Sequence, residues 1–418
     1  MSVDQVMAGA DGMRAWQEDF YRDLHQHPEL SHQEHRTAGL VADRLRQSGF
    51  EVTAGVGGTG VVGVLRNGEG PAVLLRADMD ALPVKEDTGL PYASTATGIP
   101  IDGDAEVAVM HACGHDMHTA CLIGGAHLLA QGQKHWRGTL ITVFQPAEEM
   151  INGAKGMVDD GLASLTGPVD VALGQHVMPL PAGCLAAIPG PAFAGGASIR
   201  VTVYGCGGHA SMPQSTIDPV VLAAAIVLRL QSVVAREIEP GEPAILTVGS
   251  LHAGTKANII PDQAELLINI RFYSEETRST LLGSIRRIII AECAASGSPR
   301  DPDIEVYEEA PLTVNDAEVT AQVAAALAGA LGPEAMITPP RIGGSEDFSD
   351  IARGVNAPYC FWLLGGTDAD AWHAAEAAGR IASDIPVNHS PHYAPVIQPT
   401  LDIGTEALVA ATLAWLGQ

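Results

Sequence analysis

Apolar residues recur at helical spacing through residues 12–48 and then, from "FEVTAGVGGTGVVGVLRNGEGPAVLLRADMDALP", break into short β-branched runs punctuated by glycine, so helix gives way to strands. "VAVMHA" reads as a strand leading into "CGH", and "DMHTACLIGGAHLLAQGQ" follows at helical spacing with Asp116 placed to cap it. "GTLITVFQPAEE" is a strand halted by Pro146, "GAKGMVDDGLAS" is helical and "VDVALGQHV" is another strand. Short apolar strands alternating with helices predict an α/β domain with a largely parallel sheet.

From about residue 189 the pattern changes. "ASIRVTVYG" reads as a strand, "DPVVLAAAIVLRLQSVVARE" as a helix, and "AILTVGSLHAG" and "DQAELLINIRFYS" as two more strands. "SEETRSTLLGSIRRIIIAECAAS" is then a helix and "DIEVYEEA" a last strand. The order βαββαβ predicts a self-contained four-stranded sheet with two helices on one face, a ferredoxin-like unit. Helical spacing returns in "AEVTAQVAAALAGALG" and "TLDIGTEALVAATLAWLGQ", with "APYCFWLLGG" a buried strand between them. The expected organisation is an α/β domain built from residues 1–188 and 309–418, with a smaller domain, 189–308, inserted.

Composition narrows the partners. The 418 residues exceed what one core supports, roughly 250–300 residues, which agrees with two domains. Lys plus Arg number 23 against 49 Asp plus Glu, a net charge of −26. A surface that acidic repels phosphate backbones and anionic headgroups, so neither nucleic acid nor membrane is expected as a partner. The N-terminus, "MSVDQVMAGADGMRAWQEDFYRDLHQHPEL", lacks the basic region and apolar core of a signal peptide, and no continuous apolar run reaches the ~18 residues of a membrane helix. A cytoplasmic location is the expectation, with the six scattered cysteines as reduced thiols.

The stretch "VMHACGHDMHTA" packs His111, Cys113, His115 and His118 into eight positions. No CxxC pair accompanies them, so further ligands must come from distant segments, as in catalytic metal sites. Polar clusters follow four predicted strands: Asp78 and Asp80 after "AVLLRA", Cys113 and His115 after "EVAVM", Glu148 and Glu149 after "TLITVF", and His176 after "VALGQ". In open α/β sheets the carboxyl ends of parallel strands gather at one crevice. Thiolate and imidazole together suit zinc and its neighbours, while His111 and His118 fit a supporting role. Beside a metal, adjacent glutamates can divide two jobs, one ligating and the other moving protons for a hydrolysis. "NHSPHYAP" adds His389 and His392 in a proline-punctuated loop before the last helix.

Taken in order, "DLHQHPELSHQEHRTA", "LLRADMDALPV", "MHACGHDMHTA", "FQPAEE", "GQHV", "GGHASMP", "ANIIPD", "GGSEDFS" and "NHSPHYAP" span nearly the whole chain. Together they resemble the aminoacylase/carboxypeptidase superfamily of co-catalytic metallohydrolases, and most of all the branch of hippurate hydrolases, N-acyl-amino-acid amidohydrolases and auxin-conjugate (IAA-amino acid) hydrolases. The resemblance implies a two-metal α/β hydrolase domain with an inserted ferredoxin-like lid. It implies that Cys113 bridges two metals, that His115 and His176 complete one site, and that Glu149 and His389 complete the other. Glu148 would be the general base and acid. Where the wider superfamily has His-x-Asp, this chain has Asp78-Met79-Asp80, so His115 would replace the usual first histidine and Asp80 would orient a ligand. Asp78 is left without a role. His209 in "GCGGHASMP" would stabilise the oxyanion in the neighbouring subunit's site, which implies a homodimer through the inserted domains. Asn258 in "TKANIIPD" and Arg271 in "LLINIRF" would bind substrate, with the Arg271 guanidinium gripping a free α-carboxylate and Asn258 donating nearby.

The expected activity is metal-dependent hydrolysis of the amide joining an acyl group to an amino acid, on a small-molecule N-acyl amino acid. The cofactor would be two divalent ions, Zn²⁺ or Mn²⁺, with Co²⁺ or Ni²⁺ also compatible with these donors. A carboxypeptidase or aminobenzoyl-glutamate hydrolase using the same site is the rival enzyme. The rival outside enzymology is a metal-binding protein without turnover, which would have no use for Glu148 beside a ligating glutamate.

Overall fold

Strands buried on both faces read as near-continuous apolar runs rather than alternating ones, and the central strands of this protein follow that pattern apart from a few buried polar residues, Arg76, Asp78 and Gln145 among them. In Ala72–Asp78 only the first residue is not fully buried, and Gly138–Gln145 is buried at all but its second position. The computed structural model describes residues 3–339 and 341–417. It divides into two units, one of Met1–Ala192, Val314–Pro340 and Asp347–Gln418, the other of Phe193–Thr313 with Arg341–Glu346.

The first unit holds a seven-stranded sheet. Its order is Glu51–Val56, Gly60–Asn67, Gly138–Gln145, Ala72–Asp78, Val171–Pro181, Tyr359–Thr367 and Leu185–Ala186. The four middle strands run parallel, flanked by antiparallel neighbours on both sides. Register brings the functional positions level: Asp78 pairs with Gln145, and Arg76 pairs with Gly174, so His176 stands beside Asp78 two residues further on. The helix His115–Gln131 is buried nearly all round, and beyond its polar first turn it is mostly apolar, as suits a helix enclosed by its neighbours. It packs against Ala10–Gln26 and Thr400–Leu416. Gln17 ties the three together, donating to the Ala120 carbonyl at 2.9 Å and to the Thr405 hydroxyl at 2.8 Å.

Two local expectations change. "EVAVM" is not a strand of this sheet: only Val107–Ala108 is extended, paired with Thr97–Gly98. Cys113 and His115 therefore arrive on a helix N-terminus, not on a sheet strand. The cap of that helix is Gly114, in the left-handed region, whereas Asp116 lies inside the first turn with its carboxylate 2.6 Å from His25 Nδ1.

The second unit has the strand order Ala244–Ala253, Gln263–Phe272, Gly195–Tyr204 and Asp303–Ala310, every neighbouring pair antiparallel. Strand Gln263–Phe272 alternates between buried and partly exposed positions, so one face meets the core and the other carries Asn269 and Arg271. The helices Pro219–Leu230 and Glu275–Ala295 share that core. The stretch Pro219–Glu237 has the length and mean hydropathy of a membrane-spanning helix, which the search for a continuous apolar run overlooks. Gln231 separates it into two helices, and Leu222, Ala223, Ile226, Leu230 and Val233 are buried within the unit.

Candidate metal centre

Two groups of donor atoms share one sulfur. Cys113, His115 and His176 each bring a ligand atom within 4.8 Å of the others, and so do Cys113, Glu149 and His389. Cys113 Sγ lies 3.5 Å from His176 Nε2. His389 Nε2 lies 3.3 Å from Glu149 Oε2. Gly114 permits the approach of the Cys113 loop to the sheet, because it sits at φ +85° and a Cβ there would come within 2.4 Å of Val177 Cγ1. Asn388 fastens the same place, donating to the carbonyls of Cys113 and Val177 at 3.2 Å each. His389 follows at φ 69° with its N–H on the Ala112 carbonyl at 2.8 Å. A left-handed non-glycine residue costs on the order of 1 kcal/mol and is characteristic of functional loops.

Hydrogen-bond partners assign the ring protons. His115 Nδ1 faces the Asp80 carbonyl at 2.9 Å and Asp80 Oδ1 at 3.2 Å, so Nδ1 carries the proton and Nε2 offers its lone pair to the centre. That Nε2, like Glu149 Oε1, is buried without a partner. His176 Nδ1 donates to the Val177 carbonyl at 2.8 Å, which leaves Nε2 as the lone-pair nitrogen toward Cys113. Two orphaned donors, a thiol shared by two groups and two imidazoles with their proton turned outward fit a pair of divalent cations. Burial, with Glu149 adding to it, pushes the Cys113 thiol up, while burial lowers His115 less than Asp78 and Asp80 raise it. A cation would satisfy those carboxylates in place of the protons it displaces.

Glu148 adjoins the centre, its Oε2 3.7 Å from His115 Nε2. Asp80 Oδ2 accepts from the Ser31 hydroxyl at 2.7 Å and the Glu149 N–H at 3.0 Å. Asp78 gains a role: it takes Arg76 Nη1 at 2.6 Å and His118 Nδ1 at 2.6 Å. His118 Nε2 in turn accepts the Val177 N–H at 2.7 Å, so both its nitrogens are engaged and it braces the His176 strand. Burial would raise Asp78, but Arg76 and the two histidines hold its carboxyl well below the usual range. Arg76 also donates to Gln145 Oε1 at 2.8 Å and reaches Asp347 Oδ1 at 3.4 Å. His111 is buried with neither ring nitrogen partnered, and burial lowers it to about 4. His392 is exposed, 2.7 Å from the Asp87 carbonyl. Sequence reasoning missed Arg76, Glu34, Asn388 and Asp347; only Asn388, beside His389, carried a positional hint.

In the second unit His209 lies on a short ribbon, Gly208–His209 against Ile259–Ile260. Its Nδ1 accepts from Ser211 N at 3.1 Å, so Nε2 is the protonated, donating nitrogen. The Asn258 carbonyl accepts the Ala210 N–H at 3.2 Å, next to His209. Arg271 lies at the other end of strand Gln263–Phe272, its Nε donating to Asn269 Oδ1 at 3.1 Å and Nη1 to the Ser345 hydroxyl. At about 3.3 Å per residue, Arg271 and the start of that strand are roughly 25 Å apart. Asn258 belongs to the segment that leads into that strand, whereas Arg271 is its last residue but one.

Residues 74–386 match the family described as Peptidase family M20/M25/M40. The chain is 39% identical over 370 residues to Thermostable carboxypeptidase 1 of Saccharolobus solfataricus, covering 87% of this chain and 89% of that one. It is 36% identical over 351 residues to the hippurate hydrolase of Campylobacter jejuni, covering 82% and 87%. Among solved structures it is similar to the Bacillus subtilis YXEP protein, a dinuclear metal binding peptidase, with a TM-score of 0.76, 28% identity and coverage of 96% and 99%. A match of that extent, on a fold and donor set of this kind, makes the chain a member of peptidase family M20/M25/M40, whose metal-dependent hydrolases act on amide bonds.

Proposed function

We propose that the protein hydrolyses N-acyl amino acids to a carboxylic acid and a free amino acid, using two divalent cations held by Cys113, His115 and His176 on one side and Cys113, Glu149 and His389 on the other. The observation that carries this reading is the single sulfur common to both donor groups. When bound, such a pair of cations polarises a carbonyl and acidifies water. Glu148, beside the donors, takes the proton from the attacking water and returns it to the departing amine. Asp80 fixes the tautomer of His115, and the Asp78–His118 pair braces the strand of His176.

Arg271 is proposed to grip the substrate's carboxylate. In a chain of net charge −26 it makes no ion pair among the described residues, only bonds to a hydroxyl and an amide oxygen, so its charge is available to an anion. Asn258 is proposed to donate to the substrate near that carboxylate, and His209, donating from Nε2, to act on the developing oxyanion of a second copy of the chain. The edge strand Ala244–Ala253 and the exposed Val221 and Leu228 of the neighbouring helix support a homodimer through this unit.

The test compares N-benzoyl-glycine with N-benzoyl-glycinamide on the metal-loaded enzyme. We expect the acid to be hydrolysed, the amide to be poor, and Arg271→Ala to narrow the gap. Equal kcat/KM for the two in the wild-type enzyme would remove the carboxylate requirement. In the same assay, mixed Glu148→Gln and His209→Ala subunits should recover activity; exchange without recovery would exclude action in trans. A carboxypeptidase, the activity in the name of the S. solfataricus relative, would instead prefer a peptide substrate over benzoyl-glycine.

A further inference from the structure

The stretch "ELSHQE", residues 29–34, has been used above only through Ser31, yet His32 and Glu34 reach the two ends of the turn that carries Glu148 and Glu149. The Ser31 hydroxyl bonds the Asp80 oxygen that also takes the Glu149 N–H. His32 Nε2 lies 2.8 Å from Asn152 Oδ1. Glu34 is wholly buried, and its Oε1 accepts the N–H of Ala147 and the N–H of His32, each at 2.9 Å. Its Oε2 accepts the Thr59 hydroxyl at 2.5 Å.

The backbone explains why that carboxylate matters. Ala147 sits at φ 49° and His32 at φ 64°, two non-glycine residues in the left-handed region joined by one carboxylate oxygen. The turn beyond Ala147 is tightly wound: Gly153 N donates to the Ala147 carbonyl at 3.2 Å, and a Cβ on Gly153 would come within 1.6 Å of the Pro146 oxygen. Ala147 is fully buried, so no solvent replaces the acceptor if Glu34 is removed.

We propose that Glu34 is a positioning residue: its carboxylate holds Ala147 in the left-handed conformation and thereby sets where Glu148 and Glu149 point. Its consequence for metal binding rests on the two-cation reading; its geometry does not. A Gln at this position keeps the oxygen that receives both N–H groups and turns its amide toward the Thr59 oxygen, so it should hold the turn, whereas Ala should not.

The full-length chain, wild type and with Glu34→Ala or Glu34→Gln, is followed by amide hydrogen exchange across residues 144–153 and by calorimetric titration with Zn²⁺. In Glu34→Ala we expect the Ala147 amide to exchange more than about tenfold faster while the sheet strands stay protected. One of the two Zn²⁺ ions should bind about 10–100-fold more weakly and the other unchanged, the usual scale for loss of a supporting partner. Glu34→Gln should restore both to within about threefold. If Glu34→Ala does not fold, Glu34→Asp, too short to reach both N–H groups, carries the same readouts. Unchanged exchange at Ala147, equal loosening of the whole unit, or a Gln variant as impaired as the Ala variant overturns the proposal. A wild-type chain that binds fewer than two ions defeats the two-cation reading instead, and the exchange measurement still decides the role of Glu34.

Discussion

At the candidate centre the ring protons of His115, His118 and His176 are assigned by the atoms they face, and that division decides what a substitution does. His115 and His176 turn their protons outward to Asp80 and to the Val177 carbonyl, while His118 has both nitrogens engaged and offers nothing to a cation. Only Glu149 joins the donor group with Cys113 and His389, while both glutamates lie within donor reach of His115, and the proposed function gives ligation to Glu149 and proton transfer to Glu148. Glu148→Gln is expected to keep two bound metals and lose at least ~10²-fold in turnover, the scale of general acid–base catalysis. Glu149→Gln is expected to lose one metal. Metal analysis with steady-state kinetics checks both, and the opposite pattern would exchange the two roles. Cysteine and histidine spacing brought the candidate ligands to notice because their chemistry is rare. Arg76, Glu34 and Asp347 went unnoticed because carboxylates and arginines are common, and what singles these out is burial against residues far along the chain.

At the scale of elements, the alternation of strand and helix was legible because periodicity is local. Caps and strand ends were less so. Asp116 has the sequence position of an N-cap, yet its carboxylate is committed to His25, 91 residues away, and His25 Nε2 meets Glu86 Oε1 at 3.1 Å. These three buried groups join the helix Ala10–Gln26 to the helix that carries His115. Burial alone would lower His25, but the bonds to Asp116 and Glu86 overcome it and raise it to about 9. The folded state therefore holds a proton that the unfolded chain releases near 6.5, so the stabilisation is complete below about pH 6.5 and is lost as pH rises through about 9. The loss is on the order of 3 kcal/mol, read as a falling denaturant midpoint at fixed metal loading. His25→Asn should flatten that fall; an equally steep decline in the variant would contradict the assignment.

At the scale of the whole molecule, the change of pattern near residue 189 signalled a separate unit, while its far boundary was hidden. The second unit includes Thr313 and regains Arg341–Glu346. The Ala194 N–H bonds the Gly344 carbonyl at 2.9 Å, and the Tyr273 hydroxyl bonds the Ile342 carbonyl at 2.6 Å. Such returns of the chain leave no periodic trace. The central claim is that hydrolysis depends on two cations sharing Cys113. The direct measurement titrates metal-stripped protein with Mn²⁺ while N-benzoyl-glycine turnover is recorded. The account predicts no turnover in the stripped protein and a plateau at two equivalents per chain, with Cys113→Ser failing to reach it. Turnover without metal, a plateau at one equivalent, or full activity in Cys113→Ser would contradict it.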